Sequence, residues 1–464
     1  MIETIKLTGG LNELDRLKIV IWIFPVHCVL FLVSLFEGRY RGQQYLLFKS
    51  IDQPGYPWIQ DSPVLGNHFF GDFIDTFETQ RQIASGGYFG LYSVILKLLE
   101  GFSYKQAFFV YLSFICMIIA ASSYQVKLAV SEHLTSSVGM NSARTILILS
   151  FAFALLSYPM IFAFDRGNGS LLIGAGLICG AVILIRKKSQ TASKGLDFGE
   201  GFFERLRHGL THLAAPIILG LIASVKLTPI LLTTVFVLIT LRSFRAFFVH
   251  LMSFLLAIFL QINLLQNVTS ITYPFSGSNV TDLDGYRSLT SGWSSGLDVL
   301  ELSLSYLIWG REASYTSTKL TFFVLGLLAV VVLHALFLAL KHGNGPSEMV
   351  AIVGAAALSH QISPSGGLYN NVVYLIPFLG FVGGLFSGRN SPKGFLLWLL
   401  SIMMLLPFRV GIIVLDFGGT EITIVASTVL MVGVQPVMLI LIHASEVIIR
   451  ARRHRELRSH HADT

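Results

Sequence analysis

The sequence predicts an all-α, polytopic membrane protein: a bundle of about 12 transmembrane helices, within a range of roughly 10–13, with large outer loops carrying short interfacial helices. Three observations predict it. Of 464 residues, 53% are hydrophobic and only 13% are charged, and the mean hydropathy is +0.69. That composition excludes an ordinary soluble domain. Apolar runs of membrane-spanning length recur from residue 19 to residue 449. No soluble domain of normal size fits between them, so residues 1–464 read as a single membrane-embedded domain. The three cysteines, Cys28, Cys116 and Cys179, all fall in apolar runs, with no metal spacing, and a disulfide framework is not expected.

The apolar runs place spans at 19–36, 106–124, 145–164, 169–185, 213–225, 228–241, 247–264, 319–340, 349–362, 371–386, 394–414 and 422–446. Residues 1–18 lack a basic n-region with a small-residue cleavage site and read as a cytosolic lead-in. Residues 186–212 hold six Lys or Arg, and Arg242 and Arg245 form the next basic turn. If both are cytosolic, the chain between them crosses an even number of times. So 213–241 is predicted to be a helical hairpin turning near Lys226 and Pro229, and 186–212 a flexible or interfacial cytosolic loop. Lys341, Arg389, Lys393 and the basic tail 447–464 then lie on the same side, with both termini cytosolic. Loops 37–105 and 265–318 fall outside. Within the first, YFGLYSVILKLL is short and charged near its end, which suggests a re-entrant or interfacial helix. The net charge of +7 sits mostly in loops and tail and suits an anionic inner leaflet; no nucleic-acid motif accompanies it.

Ionisable groups at membrane depth cost about 2.5–3.5 kcal/mol each even on the lenient insertion scale, and are normally retained because they act on something. Asp165, Arg166 and Asn168 lie between two helix-length apolar runs, and Lys226 interrupts a third. Arg166 and Asn168 are predicted in a short outer turn opening a helix, whose N-terminal N–H groups favour an anion. Gly167 and Gly169 let a bulky group approach the backbone. Lys226, at the hairpin tip on the same face, adds a second cation, and together these suggest a phosphate site. Singly, Lys226 also reads as a snorkelling lysine and Arg166 as a turn residue paired with Asp165.

The first outer loop contains GNHFFGDFIDTFETQRQ, in which Asp72 and Asp75 share a helix face. Such a carboxylate can serve as general base. The same acids also suit a solvated loop, or two ligands of a divalent ion. A third outer turn, SHQISPSGGLYNNVVYLIPFL, places His360 at an apolar helix end beside Tyr369 and Asn370, which can hydrogen-bond sugar hydroxyls. His360 also fits a structural role. Asn267 and Asn279 sit in N-V-T sequons on the predicted outer face.

These pieces occur in a fixed order: GDF, then RGN opening a Gly-rich helix, a basic loop, GLIASVKLTPILL, and SPSGGLYNNVVYLIP. In this order the chain resembles the GT-C superfamily of integral membrane glycosyltransferases, and more narrowly the family-87 polyprenol-phosphate-mannose-dependent mannosyltransferases. The resemblance runs over roughly residues 66–380. Gly220, Lys226 and Pro229 match its G-x-x-x-x-x-K-x-x-P hairpin, and Arg166, Gly167 and Asn168 its turn. The family's tyrosine-proline-proline after the first loop is absent, with LYSVILKLL in its place. Tyr369 and Asn370 stand where many members carry a histidine.

The resemblance implies a GT-C-like fold and an aspartate base in the first outer loop, at Asp72 with Asp75 in reserve. It implies donor phosphate-binding at Arg166, Asn168 and Lys226, and sugar or acceptor contacts at His68, His360, Tyr369 and Asn370. The expected reaction moves a hexose, mannose in the first instance, from a polyprenyl-phosphate donor to a glycolipid or cell-envelope glycan acceptor at the extracytoplasmic face of the cell membrane. Inverting direct displacement is expected, with protein cations in the place of a metal ion and no cofactor. A lipid-linked-sugar flippase or transporter also accommodates twelve spans and buried charges. Against it, the chain halves show no repeat and the polar residues gather on one face. A polysaccharide polymerase shares the outer acids but does not explain the order of RGN and K-x-x-P.

Overall fold

The computed structural model describes residues 90–133, 140–167, 169–193, 202–226, 229–265, 319–342, 345–361, 368–386, 392–406, 412–417 and 420–462, with Trp22, Pro25, Val29, Phe73 and Phe77. The helices, in chain order, are α1 Gly90–Leu98, α2 Tyr104–His133, α3 Met140–Leu156, α4 Tyr158–Arg166, α5 Gly169–Ser193, α6 Phe202–Ala223 and α7 Pro229–Leu241. They continue with α8 Phe244–Leu265, α9 Lys319–His342, α10 Gly345–Gln361, a 3-10 turn Leu368–Tyr374, α11 Leu375–Phe386, α12 Pro392–Leu405 and α13 Ala426–Ala462. The expected all-α polytopic fold is present. Its one exception among the described residues is a short antiparallel hairpin, β1 Ile412–Phe417 with β2 Thr420–Val425.

Among the described residues, five helices are long and apolar enough to cross a membrane: Lys105–Ser131 in α2, Gly169–Arg186 in α5, Phe244–Asn263 in α8, Phe323–His342 in α9 and Val434–Arg452 in α13. Within these stretches 89% of α5 is buried, against 28% of each of the others. So α5 is the central helix, and the rest present apolar side chains such as Phe109, Met117, Phe248, Phe259 and Leu333 outward, as lipid-facing helices do. The centrality of α5 follows from its sequence. It is apolar all round, and its small residues let neighbours come close. A Cβ at Gly176 would overlap Ile222 of α6, and one at Gly180 would sit 2.6 Å from Leu219. That antiparallel register places the start of α5 beside the end of α6.

Several expected boundaries are corrected. The single span 145–164 is two helices, broken at Ser157, whose extended backbone (ψ 149°) precedes Pro159. The Ser157 hydroxyl donates to the Ala154 carbonyl at 2.9 Å and takes up part of the broken ladder. The expected loop 186–212 is helical for most of its length, because α5 continues to Ser193 and α6 begins at Phe202. The span 371–386 opens with the 3-10 turn, and α11 begins two residues before Pro377, within the first turn where proline is tolerated. The span 394–414 stops at Leu405, two residues before Pro407. The span 422–446 begins inside β2, where β-branched TEITIV pairs with IIVLDF across Gly418-Gly419. The predicted hairpin at 213–241 is present as α6 and α7. YFGLYSVILKLL contains α1, which at nine residues is about 14 Å long and too short to cross.

At one end of the bundle basic residues pair across helices. Arg242, between α7 and α8, meets Glu348 of α10 at 3.0 Å. Lys393 of α12 meets Glu446 of α13 at 2.8 Å. Arg450 donates to Ser347 at 3.1 Å. These are the segments that the charge rule groups together. The Ser224–Lys226 turn before α7 and the Gln361 end of α10 lie at the far ends of these helices, and the antiparallel α5–α6 register brings the start of α5, with Gly167 before it, to the same end.

Candidate functional site

The first two turns of α5 are the hub of that far end. Tyr111 of α2, fully buried, makes a hydrogen bond with the backbone of Leu172. Its ring stacks on Phe73 at 4.9 Å and meets Tyr92 of α1 edge-on at 5.7 Å. Phe73 in turn stacks on Phe77 at 5.9 Å, and both rings are buried. Phe73 and Phe77 are helical and four apart, so they share a face. Two turns into α5, Gly174 faces Met160 of α4 and Val372 of the 3-10 turn. One platform therefore gathers the first loop, α4, the third turn and the α6–α7 hairpin.

A second joint ties α1 to the hairpin tip. The Gly90 N–H donates to Gln261 Oε1 of α8 at 2.6 Å, and the Leu91 N–H donates to Ser224 Oγ at 3.0 Å. Ser224 Oγ also donates to the Leu221 carbonyl at 2.6 Å. Gly90 has φ +47°, and a Cβ there would overlap the Ser224 side chain, so glycine is required on both grounds.

Lys226 ends the turn two residues after Ser224 and is 9% exposed, so its ammonium-bearing chain is drawn into the bundle instead of snorkelling away. Arg166 does not sit in a loop opening a helix: it is the last residue of α4. Gly167 then reverses the chain at φ 64° and ψ 19°, its N–H bonding the Ala163 and Phe164 carbonyls, and α5 begins at Gly169. Asn168, His68, Asp72 and Asp75 lie outside the described residues. Phe73 and Phe77 bracket Asp75 and follow Asp72 in sequence. His360, 1% exposed at the end of α10, lies beside Asn371 and stands 5.9 Å from the Tyr374 ring. Tyr369 and Asn370 lie in the 3-10 turn. The buried polar residue of that turn is Asn371, which donates to the Met404 carbonyl at 3.0 Å. Tyr374 donates to Gln435 of α13 at 2.6 Å. No group of three or more His, Cys, Asp or Glu that could hold a metal occurs among the described residues.

Sequence reading missed Tyr111, Ser224, Gln261 and Asn371. Each is a polar group in an apolar run, the signal it left unused.

Gly220 and Pro229 of the hairpin motif have packing roles. A Cβ at Gly220 would overlap the His250 carbonyl of α8, so glycine sets the α6–α8 approach. Pro229 is the first residue of α7, where its missing N–H costs nothing. The model of glycosyltransferase family 87 matches residues 88–364, more than half of the chain. The chain belongs to glycosyltransferase family 87. It is therefore a membrane glycosyltransferase. The match contains Arg166, Asn168, Lys226 and His360, begins after Asp72 and Asp75, and ends before Tyr369 and Asn370. No curated protein and no solved structure matches the chain significantly.

Proposed function

We propose that this family-87 enzyme transfers a hexose, mannose in the first instance, from a polyprenyl-phosphate donor to a glycolipid or cell-envelope glycan at the extracytoplasmic face of the cell membrane. The observation that carries the reading is Lys226: a lysine drawn into an apolar bundle at the tip of a hairpin, at the joint where the first loop meets α8. A cation so placed suits an anion that arrives with a hydrophobic tail. Nucleotide sugars are cytosolic, and basic residues gather at the opposite end of the bundle, the side that the charge rule makes cytosolic. A donor reaching the Lys226 end therefore comes through the membrane as a lipid phosphate. Both termini and the basic tail are then cytosolic, with loops 37–105 and 265–318 outside.

In this mechanism Lys226, Arg166 and Asn168, with the N-terminal N–H groups of α5, hold the donor phosphate. Asp72 takes the proton of an acceptor hydroxyl as its oxygen attacks the anomeric carbon; Asp75 is the alternative base. The C–O bond to phosphate breaks, the phosphate monoester leaves as an anion, and the anomer inverts in one displacement. A general base contributes roughly 10²–10⁴-fold, and fixed cations stabilise the leaving charge. His68, His360, Tyr369 and Asn370 contact sugar or acceptor hydroxyls. The test supplies reconstituted vesicles with labelled polyprenyl-phosphate mannose or with nucleotide mannose. Label moving to lipid or glycan from the first alone supports the reading; transfer from the nucleotide sugar alone refutes it.

A further inference from the structure

We infer that Ser224 and Gln261 are positioning residues: a two-point clamp on the N-terminus of α1 that fixes the base-bearing loop against the Lys226 turn. This rests on the proposed roles of Asp72 and Lys226. The first N–H groups of a helix have no partner within it and are ordinarily capped by the residue just before. In α1 they are capped from afar. Gly90 uses Gln261, 171 residues on, and Leu91 uses Ser224, 133 residues on. Both capping side chains are fully buried, where losing a hydrogen bond is costly.

The clamp is directional. Ser224 donates to Leu221, which leaves its oxygen lone pair for Leu91. The Gly90 backbone, at φ +47°, presses against Ser224 so closely that no side chain fits between them. Tyr92, two residues on, meets the same Tyr111 ring that receives Phe73. Phe73 and Phe77 thus pack on the Tyr111 platform, and Gly90 is fixed at the clamp. Ser224 is two residues from Lys226, and Gln261 stands just before the second large loop. A shift of α1 by one hydrogen-bond length moves Tyr92, and with it the Tyr111–Phe73 stack one residue from Asp72, relative to Lys226 without removing any group that touches substrate.

The experiment combines hydrogen exchange with kinetics on the full chain in vesicles. In the wild type, amides of Gly90 and Leu91 should exchange as slowly as the interior of α1; fast exchange there overturns the clamp without any variant. Ser224→Ala and Gln261→Met should each speed exchange across 90–98. Each should also lower turnover at least about tenfold while the donor KM stays within about twofold. Thermal midpoints in detergent identify a variant that fails to fold, in which case the other variant decides. Unchanged turnover in folded variants, or a donor KM that rises as turnover falls, overturns the positioning role. If the wild type transfers sugar from no polyprenyl-phosphate donor, the proposed function fails, and the exchange data still decide the clamp.

Discussion

Replacing Gly220 by alanine adds one methyl group, and the fold predicts a large effect. The α6 and α8 backbones cross at this point, and the added Cβ would fall about 1 Å short of ordinary van der Waals separation from the His250 carbonyl oxygen. It would also lie 3.0 Å from the Ser253 Cβ. The obstacle is backbone, which cannot rotate away as a long side chain can. Moreover, His250 is itself held, its Nδ1 within 3.3 Å of the Pro216 carbonyl and its Nε2 within 3.3 Å of Thr233 and 3.2 Å of Thr234. The helices must therefore separate. Overpacking of this kind costs about 1–3 kcal/mol, offset by under about 1 kcal/mol from alanine's helix propensity. Lys226 lies six residues further on, in the turn that follows α6, so the same displacement reaches it, and a misplacement of about 1 Å at a reacting site costs on the order of a hundredfold in rate. Gly326→Ala is the control: a Cβ at Gly326, on the outward side of α9, meets nothing within 4 Å. The assay is the thermal midpoint in detergent beside sugar transfer in vesicles. A Gly220→Ala protein as stable and as active as Gly326→Ala would refute the packing argument.

Three further outcomes follow from the same geometry. Lys226→Met should raise the donor KM and cut transfer by on the order of a hundredfold or more, with Lys226→Arg retaining part of the activity because the charge remains; steady-state kinetics check this, and unchanged kinetics in Lys226→Met would remove Lys226 from the phosphate site. Gly167→Ala forces a side chain into a left-handed turn at φ 64°, which should cost about 1–2 kcal/mol of stability, whereas Gly101→Ala, in open space, should be neutral; equal melting temperatures would contradict this. Arg242→Ala removes the ion-pair contact between Arg242 and the Glu348 carboxylate, whose side chain is 8% exposed. Since the Arg242 side chain is 42% exposed, water screens part of the loss, and about 1–3 kcal/mol is expected against under about 1 kcal/mol for Glu348→Gln; thermal melts giving the reverse order would show that the pair does not hold α7 to α10.

Much of the fold was legible because membrane insertion imposes simple rules on sequence. The turn at Ser224–Lys226 follows from two basic segments that must lie on one side, which forces 213–241 to double back. The break at Ser157 was harder to see, since Pro159 sits in the first turn of α4 and leaves the apolar run uninterrupted. The strands 412–417 and 420–425 carry a β-branched, Gly-Gly-centred pattern, yet apolar length alone reads them as parts of spans.

The site was legible only in part. Lys226 and Arg166 stand out as charges in apolar surroundings. Tyr111, Ser224 and Gln261 do not, because each acts on a partner far away in the chain: Leu172, Leu91 and Gly90. Periodicity and spacing report only local neighbours, so the joint between the first loop and the hairpin has no local signature. Asn371 shows the same limit at finer scale. In the pair Asn370-Asn371 the sequence favours neither, while the fold buries Asn371 against Met404 and His360.

The central claim is that an aspartate of the first loop activates the acceptor for attack on a lipid-phosphate sugar. The measurement that tests it most directly is transfer from labelled polyprenyl-phosphate mannose in reconstituted vesicles, with EDTA present, comparing wild type, Asp72→Asn and Asp75→Asn. The account predicts a lipid-soluble or polymeric labelled product from the wild type, lost by roughly 10²–10⁴-fold in Asp72→Asn. Full transfer by both variants would contradict it.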